Sequence, residues 1–139
     1  MPPREWFIRL EDILDAIDRI EMSLDGLSYD EFERNYDKTD ATIRNLTVIG
    51  EAANHIPNEV RIKFPQIPWS KAIELRNFVV HEYFGITLAT IWDTAQNRLP
   101  ELKMEIALII AQGRDAFKSF VVTKRKLKIK RRRVRHTKK

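Results

Sequence analysis

Cysteine is absent from this chain, which excludes disulfides, thiolate zinc sites and cysteine nucleophiles and fits a reducing cytoplasm. Glycine is scarce, with 4 among 139 residues, while 43% of the residues are hydrophobic. That balance favours a compact, mostly helical protein. No apolar run approaches the roughly 20 residues of a transmembrane helix. The opening Met1-Pro2-Pro3-Arg4-Glu5-Trp6 lacks the basic and then apolar order of a signal peptide. No convincing strand pattern, internal repeat or heptad array precedes residue 121. The expectation is a soluble cytoplasmic protein with no membrane partner, long enough to bury a core as one domain.

What is present in excess is positive charge, and it is unevenly placed. The net charge is +5, yet residues 121–139 hold 11 of the 25 Lys and Arg and no acid. Residues 1–120 are left with 14 basic against 20 acidic side chains, a net of −6. The expected organisation is therefore an acidic body over residues 1–120 and a basic tail over 121–139. So many like charges favour disorder in the tail. It reads as a solvated segment, as a region folding against the acidic first helix, or as an RNA-binding arm through Lys124, Arg125, Lys126, Arg131, Arg132 and Arg133.

Hydrophobic periodicity organises the body. Trp6, Phe7, Leu10, Ile13, Leu14, Ile17, Ile20 and Leu24 form one helical stripe, closed by Asp25-Gly26. Ser28-Tyr29-Asp30-Glu31 has capping-box spacing and predicts a short helix to about Asn35. Asp37-Lys38-Thr39-Asp40 opens a helix with the stripe Ile43, Leu46, Ile49, Ala53 and Ile56, ended by Pro57. Within it, Ile49-Gly50-Glu51-Ala52-Ala53 would let another helix approach closely. Val60, Ile62 and Phe64 form a brief helical turn. Pro68-Trp69-Ser70 starts a central helix expected to run to about Phe84. Thr87 caps the last long helix, in which Pro100 should produce a kink. The fold expectation is all-α, an antiparallel bundle of four to five helices.

The chemistry concentrates in Leu75-Arg76-Asn77-Phe78-Val79-Val80-His81-Glu82-Tyr83-Phe84. A guanidinium, an amide, an imidazole and a phenol lie there among apolar residues. Arg can hold a phosphate bidentately, and His can transfer a proton near neutral pH. On a straight helix with about 100° per residue, Asn77 and His81 share a face while Arg76 and His81 stand about 140° apart. Either the helix loosens, or long side chains reach around, or a second chain completes the site across a symmetric interface. On residues alone a structural reading also stands, with Arg76 and Asn77 tying helix ends and His81 satisfied in the core. Glu51 forms a stripe with Arg44 and His55 that fits ordinary exposed helix pairing.

Gly50-Glu51-Ala52-Ala53, Ile67-Pro68-Trp69, Arg76 through Phe84, Ile91-Trp92-Asp93 and Leu99-Pro100 together resemble the HepT family, toxins of the HEPN class, over most of residues 5–115. The resemblance favours catalysis. It implies a metal-independent, endo- or tRNA-directed RNase with no cofactor, the toxin of a type VII-like pair whose antitoxin is an MNT-type nucleotidyltransferase. Through the Arg-x4-His-x-Tyr pattern it implies Arg76 and His81 as the catalytic pair, Asn77 as the supporting polar residue and Tyr83 as the acceptor of AMP. It further implies a homodimer with the Arg76/His81 sites facing each other. Glu82 departs from the small residue often found between the histidine and tyrosine; a carboxylate there could stabilise protonated His81 and repel RNA. The tail is not part of the family pattern. Two other functions compete: a non-catalytic helical partner or substrate-binding subunit of a nucleotidyltransferase, and a basic-tailed RNA-binding module.

Overall fold

The structure is a computed structural model and describes residues 3–77 and 87–113. Among these residues every regular element is helical, so the all-α bundle is observed. The elements are α1 (Pro3–Leu24), α2 (Tyr29–Arg34), α3 (Tyr36–Asn54), α4 (Asn58–Lys63), α5 (Trp69–Glu74) with a 3₁₀ turn at Leu75–Asn77, α6 (Leu88–Asp93), a π-helical segment at Thr94–Arg98, and α7 (99–113). None of the described helices is long and apolar enough to cross a membrane.

The caps follow from local chemistry. Gly26, at φ 75°, takes the left-handed conformation that turns the chain out of α1. Ser28 accepts from the Glu31 amide at 3.2 Å while the Glu31 carboxylate accepts from the Ser28 amide at 3.2 Å, which is the expected capping box. Asn35 caps α3 through the Lys38 amide, so α3 starts earlier than Asp37 suggested. Thr87 caps α6 through the Thr90 amide at 3.3 Å. Where α3 ends, Arg61 of α4 donates to the carbonyls of Ala53 and Asn54, adding side-chain donors to acceptors in the last turn.

The stripe of α1 buries Phe7, Leu10, Ile13, Ile17, Ile20 and Leu24, with Trp6 and Leu14 partly covered. Ala16 joins them, an addition the apolar pattern did not single out. Ile43, Leu46, Ile49, Ala53 and Ile56 are buried as expected. The brief turn expected around Val60 and Ile62 is α4; a helix this short buries one face only, so Val60 is covered while Ile62 is 69% exposed. Lys38 at the start of α3 donates to the Ser23 carbonyl at the end of α1, so the two run antiparallel. The α7 helix also runs antiparallel to α1. Lys103 bridges Asp18 and Glu21 at 2.9 Å each, and a side chain added at Gly113 would strike the ring of Phe7.

Two elements differ in form from expectation. The distortion expected from Pro100 is a π-helical segment immediately before it, with the Leu99 amide donating to Thr94 O. A widened turn accommodates a proline that cannot donate in the helical ladder. The central helix leaves α geometry after Glu74 and tightens into 3₁₀ at Leu75. Its expected course from Phe78 to Phe84 lies outside the described residues.

Candidate active site

The 3₁₀ turn that ends α5 carries Arg76 and Asn77. The α5 helix is fixed at its start by Trp69, whose indole donates to Phe64 O at 3.0 Å, and along its length by buried Ala72 and Leu75. Leu75 faces a cavity of about 170 Å³ toward the π segment, lined also by Lys71, Thr94, Arg98 and Glu105. Arg76 does not line that cavity and lies against α3.

That contact depends on Gly50. A Cβ built on Gly50 would fall 2.7 Å from Arg76 Cβ and 2.9 Å from Arg76 Cα, and nearer still to the Arg76 amide nitrogen. Real side chains do not pack at such distances, so only glycine admits this approach. The close approach expected of Gly50-Glu51-Ala52-Ala53 is thus observed, and its partner is the turn bearing Arg76. The next residue reaches the other end of the same side chain: Glu51 Oε1 stands 3.9 Å from Arg76 Nη1, with the two side chains 53% and 36% exposed. At that distance the pair is electrostatic rather than hydrogen-bonded. The remaining guanidinium donors of Arg76 have no partner among the described residues.

The stripe of Arg44, Glu51 and His55 therefore does not pair as read. The Glu51 carboxylate turns to Arg76, and the His55 ring nitrogen Nδ1 lies 2.7 Å from the Glu51 backbone carbonyl. Asn77 is half-buried beside Arg76. His81, Tyr83 and the tail cations Lys124, Arg125, Lys126, Arg131, Arg132 and Arg133 lie outside the described residues, as does the convergence of Arg76 with His81. Glu51 was visible in the sequence only as one member of a helix stripe. Its partner stands 25 positions away, where periodicity has no reach.

A half-exposed arginine, backbone-locked and with most donors unspent among the described residues, is suited to binding an anion such as a phosphate. Comparison with known proteins points the same way. A family model described as Ribonuclease HepT-like matches residues 13–109, a span that contains the 75–84 stretch and stops short of the basic tail. The chain is 38% identical over 117 residues to "Putative RNase MJ1216" of Methanocaldococcus jannaschii, covering 83% of this chain and 97% of that one. It is 41% identical over 110 residues to "Putative RNase MJ1380" of the same organism, covering 78% of this chain and 100% of the relative. "Probable ribonuclease HepT" of Thermococcus cleftensis is 36% identical over 94 residues, covering 68% and 86%. No solved structure matches.

Proposed function

The chain belongs to the ribonuclease HepT-like family, and on that premise we propose that it is a metal-independent RNase acting through Arg76 and His81, the toxin of a type VII-like pair silenced by AMP on Tyr83. The observation that carries the reading is the seat of Arg76: a half-exposed cation whose backbone is fixed against α3, with one ion-pair partner, Glu51, among the described residues.

In the proposed reaction a ribose 2′-hydroxyl attacks the adjacent phosphorus, and the 5′-oxygen of the next nucleotide leaves. His81 transfers a proton, and Arg76 stabilises the charge that develops on the phosphate oxygens. Asn77, next to Arg76 on the same turn, supports the substrate. Proton transfer and charge stabilisation come from side chains, so the steps call for no metal. Two copies of the chain face each other across the paired sites. An MNT-type nucleotidyltransferase is the antitoxin, and the cytoplasm is the compartment where RNA and partner meet.

The test is growth on expression without the partner. The wild-type chain slows growth, and Arg76→Ala and His81→Ala each relieve the effect while the protein stays folded, because an interaction made mainly in the transition state is lost. Two folded alanine variants as toxic as the wild type would remove the assignment to this pair.

A further inference from the structure

We propose that Glu51 is the positioning residue for Arg76, setting the direction of the guanidinium that meets the scissile phosphate; the inference rests on the RNase reading above. Consecutive residues of α3 govern the two ends of one arginine. Gly50 receives its backbone, and the Glu51 carboxylate faces its Nη1 at 3.9 Å. The platform itself is rigid, since Leu46, Ile49, Ala52 and Ala53 on the same helix are buried.

An ion pair this long and this exposed contributes little to folding. It also leaves the arginine's fork open, so a phosphate can still take two parallel N–H bonds from it. Among the described residues Glu51 is the one carboxylate within ion-pair distance of Arg76. Without it, a long flexible side chain that among the described residues is otherwise held only at its backbone would sample several directions, of which few serve the transition state. Its negative charge also opposes RNA phosphates, so removing it does not weaken substrate binding.

The two effects separate in steady-state kinetics with the full chain and an RNA substrate. Glu51→Gln keeps the shape and removes the charge; kcat falls about tenfold or more while KM stays level or drops. Glu51→Asp keeps the charge on a shorter arm and recovers part of the lost kcat. The thermal midpoint of both variants matches the wild type. Arg76→Ala, measured alongside, separates the two claims. If Arg76→Ala abolishes cleavage and Glu51→Gln stays within twofold of wild type, the RNase reading stands and the role of Glu51 is wrong. If Glu51→Gln loses kcat together with its thermal midpoint, the residue is structural and the inference is overturned. If Arg76→Ala cleaves like the wild type, the RNase reading fails and the inference fails with it.

Discussion

Gly50 and Arg76 meet with no space for a side chain between them: a Cβ on Gly50 would stand 2.9 Å from Arg76 Cα. The contact joins α3, whose inner face is buried, to the turn that carries the candidate catalytic arginine. It makes a residue with no functional group a determinant of site geometry.

Gly50→Ala forces α3 and the 3₁₀ turn apart. Overpacking of this kind costs about 1–3 kcal/mol, so denaturant unfolding should shift by that amount and RNA cleavage should fall as well. Gly26→Ala is the control. Nothing lies within 4 Å of a Cβ at Gly26, and the penalty comes from its positive φ, roughly 1–2 kcal/mol. That variant loses stability and keeps cleavage per folded molecule. Equal losses of specific activity in both would deny Gly50 a special place.

Lys103 ties α7 to α1 across 82 positions. Hydrogen bonds that it donates first to Glu21 and then to Asp18 raise its pKa above the ordinary 10.5. A raised lysine pKa adds stability that is fully present below the unfolded value and is lost as pH rises through the folded one. Lys103→Met should therefore unfold at a lower temperature than wild type at pH 7 to 10, by a gap that narrows at pH values above 10.5. Thermal unfolding across that range checks it, and a gap that widens with pH would refute the sign.

Much of the fold was legible because its causes are local. The α1 and α3 stripes, the Ser28 capping box and the Thr87 cap each follow from residues within a few positions of one another. Pro100 signalled a distortion, but periodicity did not reveal that it would take π form. The brief turn at Val60 and Ile62 was legible too, but apolarity alone does not say which face a short helix turns inward, and Val60 rather than Ile62 is buried. The site was legible in part: Gly50 announced a close approach, which its contact with Arg76 bears out. That Glu51 serves Arg76 rather than Arg44 or His55 depends on how α3 and α5 pack, and no sequence spacing encodes that.

The tail should prove separable from the body. The apolar stripes end before residue 121, so a chain lacking residues 121–139 should unfold with the same midpoint. It should bind RNA more weakly and with a flatter dependence of log Kd on log salt concentration, since fewer counterions are released. Binding titrations at several salt concentrations decide; an unchanged slope would give the tail no part in RNA contact.

Tyr83 provides the regulatory prediction. AMP on its hydroxyl adds bulk and a negative phosphate two residues beyond His81, where it would compete with RNA for Arg76. Incubation with the nucleotidyltransferase and ATP should add AMP-sized mass to the wild type and none to Tyr83→Phe, which should also escape silencing. Undiminished addition on Tyr83→Phe would place the modification elsewhere.

The central claim, that Arg76 and His81 cleave RNA without a metal, is tested most directly by purified protein and labelled RNA in excess EDTA. The wild type should cleave there as fast as in buffer without chelator. Arg76→Ala and His81→Ala should each be slower by about 10²-fold or more, with unaltered thermal midpoints. Cleavage that stops in EDTA, or that persists at the wild-type rate in either folded alanine variant, would contradict it.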